Sequence, residues 1–200
     1  MSDADRVAQL AARLLERGES RDLPSAIRSA ANRLGVRPES WPSESLVRRH
    51  AEAMMQQDRG DSGHAALTAE RLRIAEEIMT LLEMRAAPSE LWLVGRAAKG
   101  HLDADPKLRI RAHCTAPIGE IAAALVDAGY EEPAFQVAES KWGRLDRIRF
   151  REQGVECVVT RCPRAQVLDS SLDLFTGAPV PRIDLAGLRR MIDELSRDRP

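Results

Sequence analysis

Leu91-Trp92-Leu93-Val94-Gly95-Arg96-Ala97-Ala98-Lys99-Gly100-His101-Leu102-Asp103-Ala104-Asp105-Pro106-Lys107-Leu108-Arg109-Ile110 carries the most structural information in the chain. It reads as a strand, a glycine-bounded turn, an acidic pair and a second strand. Side chains two apart share a face of a strand, so Leu108 and Ile110 turned to a core leave 105 and 107 on the opposite side. Two registers compete at the acidic pair. Asp103-x-Asp105 has the i, i+2 spacing but precedes Pro106, whereas Asp105-x-Lys107 stands at the strand head, and we prefer the second.

Outward from this stretch the chain divides by period. Ahead of it, apolar stripes at helical spacing predict helices from about Asp5 to Arg17, from Asp22 to Leu34, from Glu44 to Gln57 and from Ala66 to Arg85. Gly18 and Gly35 end the first two, Asp22 is the expected N-cap of the second, and 58–63 is expected to be a loop. Behind Pro88 the period becomes alternating. Strands are expected at 91–94, 107–112, 134–138, 146–151 and 155–161, with helices over 118–128 and from Asp184 to about Leu195. This is an α+β pattern: an N-terminal helical region, 1–85, then a mixed sheet with flanking helices, 86–200.

Composition narrows the function classes. The 200 residues are 44% hydrophobic and 30% charged, with a formal net charge of −1, so any anion-binding surface must be local. No apolar run approaches membrane-spanning length, and the first five residues are acidic where a signal peptide is basic. Three cysteines, Cys114, Cys157 and Cys162, form no Cys-x-x-Cys pair, which points to buried thiols and a cytoplasmic protein. A zinc site made with His113 is disfavoured, because adjacent His113 and Cys114 point to opposite faces of a strand. The four histidines form no catalytic set.

One pattern is basic. Lys107, Arg109 and Arg111 alternate on one strand, and Arg147, Arg149 and Arg151 on another. If both sets lie on the same side of the sheet they make a cationic surface suited to a phosphate-rich ligand; otherwise they are a solvated face with acidic partners. Aromatic residues total 4%, too few for a base-stacking platform.

The quoted stretch resembles the nucleotidyltransferase superfamily related to DNA polymerase β. Further likenesses to a group of uncharacterised bacterial nucleotidyltransferase-like proteins lie in Ala12–Gly18, Ala30–Gly35 and Ser171–Val180. The resemblance implies a Gly-Ser turn, here Gly95-Arg96, and carboxylates holding Mg²⁺ on a triphosphate, here Asp103, Asp105 and, as third carboxylate, Glu156. In the preferred register the second metal ligand is replaced by Lys107, a cation that repels metal. Three functions follow as expectations. The first is a degenerate, non-catalytic nucleotidyltransferase fold that binds an anionic ligand or a macromolecular partner through Gly95, Arg96 and the six basic strand residues, with no cofactor. The second is an active Mg²⁺-dependent transferase. The third is a nucleic-acid-associated protein using the basic sheet face. Nucleotide, nucleic acid and protein all stand as partners, a membrane does not, and catalysis is left open.

Overall fold

A computed structural model of the protein describes residues 1–20, 22–102, 106–163 and 169–197, without the side chains of 55, 56 and 58–62. Two compact units form. One comprises Met1–His64 with Leu102 and Pro106; the other comprises Ala65–His101 and the chain from Lys107 onward.

The first unit is helical because its apolar residues recur at helical spacing and its helix ends are capped. Helix α1 (Asp3–Glu16) begins at a capping box, in which the Asp5 amide donates to Ser2 Oγ at 3.1 Å and the Ser2 amide to Asp5 Oδ2 at 3.1 Å. Helix α2 (Leu23–Leu34) starts at Asp22, which accepts from the Ser25 amide at 2.8 Å. It stops at Gly35, whose φ of 66° lies in the left-handed region that glycine enters without penalty. Val7, Ala8, Ala11, Ala26, Ile27, Ala30, Val47 and Ala51 share one core. The alanines keep the side chains short, so helices can approach closely.

Val47 and Ala51 belong to α3 (Glu44–Ala86), which supplies residues to both units. The expected loop over 58–63 is helical backbone instead. Gly60 and Gly63 raise the cost of a helix by about 1 kcal/mol each but, unlike proline, remove no hydrogen bond. The expected boundary at 85/86 follows the change in period. The compact units divide earlier, between His64 and Ala65, so the last turns of α3 belong with the sheet.

In the second unit β1 (Glu90–Val94), β2 (Lys107–Cys114), β3 (Ala134–Ser140), β4 (Gly143–Glu152), β5 (Val155–Pro163) and β6 (Arg182–Ile183) form one mixed sheet in the order β3-β4-β5-β2-β1-β6. Among the described residues only the β2–β5 pairing is parallel; the others are antiparallel. A parallel neighbour needs a long connection, and α4 (Ile118–Asp127), β3 and β4 fill it. Helix α5 (Leu185–Arg197) starts at Asp184, which accepts from the Gly187 amide at 2.7 Å.

Register explains which face is core. Leu93 lies opposite Ile110, Ile110 beside Val159, and Val159 opposite Ile148, a row in which every side chain is fully buried. Leu108, Cys157 and Phe150 form the next row. Helix α4 lies against β4 and α5 against β1. Arg189 of α5 ties to α3 through Glu76 Oε1 at 2.9 Å and Thr80 Oγ1 at 3.0 Å. Among the described residues, no helix is long and apolar enough to cross a membrane.

Candidate functional site

The opposite face of the same strands carries the charge. Pairing sets Arg109, Val158 and Arg149 in one row, Arg111, Thr160 and Arg147 in a second, and Lys107, Glu156 and Arg151 in a third. Directly paired residues project to the same side of a sheet. The six basic residues of β2 and β4 therefore share one face, separated by β5.

Glu156 sits among them. Its side chain is 6% exposed, and its two oxygens meet two different cations: Oε2 lies 3.0 Å from Lys107 Nζ, and Oε1 lies 2.9 Å from Arg149 Nε. Lys107 reaches it from the parallel neighbour and Arg149 from the antiparallel one. Burial of this carboxylate is compatible with folding because both oxygens are matched.

Further along the same face, 169–181 folds over the sheet as a strap. Leu172 pairs with Pro179 in an isolated bridge, and the Val180 amide donates to Ser171 O at 2.8 Å. Asp173 Oδ1 closes the tip by accepting from the Phe175 amide at 3.0 Å, the Thr176 amide at 2.9 Å and Thr176 Oγ1 at 3.0 Å. Burial pushes the Asp173 carboxyl up, yet these bonds and the charge of Arg111 bring it below the usual carboxylate value. Arg111, 4% exposed, anchors the strap by donating from Nη1 to Leu172 O at 2.7 Å. Leu174 packs with Leu145 and Cys162 beneath it.

Between strap and sheet lies a cleft of about 340 Å³ lined by Gly95, Arg109, Arg111, Arg147, Thr160 and Phe175, among others. The Arg147 guanidinium stands 5.4 Å from the centre of the Phe175 ring, and its Nε is buried without a hydrogen-bond partner among the described residues. Burial lowers the pKa of Arg147, as do the neighbouring charges of Arg109 and Arg149. Burial likewise lowers that of Arg111, with Arg109 adding to the effect.

No protein-family model matches the chain, and no curated protein matches it in sequence.

The expected site residues thus separate into distinct places. Lys107 and Arg149 are committed to Glu156, Arg109, Arg111 and Arg147 line the cleft, and Arg151 is exposed on the row of Glu156. Gly95 belongs to the cleft as well. Its φ of 84° and ψ of −152° suit glycine, and its amide donates to Pro181 O at 2.8 Å. Arg96 is exposed at the start of a short 3-10 turn, Arg96–Lys99. Asp103 and Asp105 lie outside the described residues. Among the described residues, no group of three or more His, Cys, Asp or Glu side chains could hold a metal ion.

Thr160, Asp173 and Phe175 were not among the expected site residues. Thr160 had a signal, since it lies on the same strand face as Glu156; the other two reach the cleft only through the fold of the strap. The cysteines are free and buried, and burial raises the Cys157 thiol to about 12 and the Cys162 thiol to about 11. Cys162 pairs with His113, while Cys157 and Cys114 belong to the opposite face.

His113, 7% exposed, has a buried Nε2 without a hydrogen-bond partner among the described residues. Burial pushes its pKa down; Glu90 pulls it up, and Arg111 and Arg182 push it further down. The unfolded chain takes up this proton near the ordinary value of about 6.5, whereas the folded protein resists it. Stability is therefore full above about pH 6.5 and falls as the pH drops through that value. Urea unfolding at about pH 7.5 and about pH 5.5 should show this decline, and His113→Gln should flatten it. A gain in stability on acidification across that interval would contradict the assignment.

Proposed function

We propose that the protein is a degenerate nucleotidyltransferase-fold protein that binds an anionic ligand without catalysing nucleotidyl transfer. The strand plan supports the fold half of this reading. A strand ending in a Gly95 turn lies antiparallel to β2, and the parallel neighbour of β2 carries a carboxylate, Glu156, paired in register with the strand-head residue 107.

The observation that carries the functional half is the double ion pair of Glu156. Mg²⁺ binds through anionic oxygens that face it together. Here both oxygens of the expected third carboxylate face an ammonium and a guanidinium at 3.0 and 2.9 Å. A divalent ion at Glu156 would have to displace these cations and then stand against them. As it stands, Glu156 does not fit a metal ligand.

Calorimetric titration with ATP, in MgCl₂ and in EDTA, tests the reading. The expected result is an affinity that does not depend on the metal. Tightening by roughly tenfold or more on adding Mg²⁺, a gain of about 1.4 kcal/mol, would overturn it.

A further inference from the structure

We infer that the cleft beneath the strap is a metal-independent binding site for a phosphoryl dianion carried on a small organic group. This deepens the anion-binding reading above and rests on it. It also places the ligand away from Glu156. Glu156, Lys107 and Arg149 are not among the described residues that line the cleft.

The argument begins with unbalanced charge. Arg109, Arg111 and Arg147 line one cleft, and none of them has an ion-pair partner among the described residues. Arg111 and Arg147 flank Thr160 on β5, two strand spacings apart, or about 10 Å between backbones. Because Arg111 is buried and Arg147 is half-buried with its Nε enclosed, their charges are screened less than surface charges at that distance. Arg109 disfavours the charged forms of both. The nearby carboxylates are already committed: Glu156 to Lys107 and Arg149, and Asp173 Oδ1 to three donors in its own turn. Three guanidinium charges against the single carboxylate of Asp173 leave two positive charges in excess. Arg111 holds the strap through Leu172 O and Arg147 stands over the Phe175 ring, but neither contact supplies negative charge, and an anion of charge −2 balances the excess.

The donors favour a tetrahedral anion over a planar one. They come from three strands: Arg109 and Arg111 on β2, the Thr160 hydroxyl on β5, and Arg147 on β4, whose Nε is already desolvated and has no partner among the described residues. A flat carboxylate is satisfied by one guanidinium fork, whereas phosphoryl oxygens accept from several directions. Val94, Leu174, Phe175 and Val180 form an apolar wall beside these donors, and 340 Å³ falls in the range of small-molecule sites, about 300–1,000 Å³. That wall and that volume call for an organic group.

Calorimetry in EDTA with inorganic phosphate, phenyl phosphate and phenyl sulfate tests the inference. Phenyl sulfate has the shape of phenyl phosphate with one charge fewer. Phenyl phosphate should bind at least roughly tenfold more tightly than phenyl sulfate, and more tightly than inorganic phosphate. Equal binding of the two phenyl esters would overturn the dianion. Equal binding of phenyl phosphate and inorganic phosphate would overturn the organic group and assign free phosphate.

Arg109→Met, at an exposed position, and Arg147→Met should each weaken phenyl phosphate by roughly tenfold or more. Arg147→Met should also unfold no earlier on heating than the parent, because the Nε it removes has no hydrogen-bond partner among the described residues and the methionine thioether replaces the guanidinium against the Phe175 ring. Binding that survives both substitutions, or no binding of any of the three probes, would overturn the site. With EDTA present throughout, that failure leaves the proposed function standing; only Mg²⁺-dependent nucleotide binding removes the latter.

Discussion

Leu108→Ala should lower the unfolding free energy by about 2–5 kcal/mol, the range for deleting a large aliphatic side chain from a close-packed core. Leu108 is fully buried on β2, which lies between β1 and β5 within the sheet, and its neighbours in the row are Cys157 and Phe150. Neighbouring strands hold the backbone in place, so the cavity collapses poorly. The adjacent residue is the control. Arg109 points to the opposite face and is exposed, so Arg109→Ala should change stability by no more than about 0.5 kcal/mol. Urea unfolding at constant slope measures both. Equal losses at 108 and 109 would mean that the alternation assigned to β2 is wrong.

Glu156→Ala has the second largest expected effect, a loss of about 2–3 kcal/mol. The carboxylate itself is buried, but Lys107 and Arg149 are 34% and 46% exposed at their side chains and can regain water. The cost therefore falls below that of a fully buried pair. What remains is repulsion, because Lys107 and Arg149 would then share their face with Arg109, Arg147 and Arg151 and no carboxylate between them. In a chain of this size the loss lowers the melting temperature by about 2–4 °C per kcal/mol. A carboxylate reserved for metal would behave in the opposite way, since removing it relieves strain in the metal-free protein. Neutral or raised stability in Glu156→Ala would sink the structural role assigned to this residue.

Most elements were legible because their signals are local. Asp22, Gly35, Gly129 and Asp184 mark helix ends by what their own side chain, or lack of one, does to the backbone. The expected strands appear in place, extended by up to three residues at their ends. The short β6 was missed, since two residues that pair only with Leu93 and Val94 carry no period of their own. The break expected in α3 was wrong for a related reason: glycine weakens a helix locally, and the helix on either side outweighs it.

The site was less legible. Alternation already placed Lys107, Arg109 and Arg111 together, and Arg147, Arg149 and Arg151 together. Nothing in it could say whether the two sets met on one side, because that depends on which strand stands between them and in what register. The answer is β5, parallel to one set and antiparallel to the other. Pairing sets Glu156 between Lys107 and Arg151, its carboxylate meeting Lys107 and Arg149, and sets Thr160 between Arg111 and Arg147. The cleft also needs Asp173, Phe175 and Val180, brought in by the strap.

Fold class, helix ends, the longer strands of the sheet and the presence of two basic strand faces all follow from the amino-acid order. These rest on interactions among residues close along the chain, where spacing is geometry. That the two basic faces are one, that Glu156 is held by cations, and that three arginines share a cleft emerges once the chain has folded. Those facts rest on strand order and on a strap folded back from more than 50 residues beyond β2, contacts whose partners no local spacing can name.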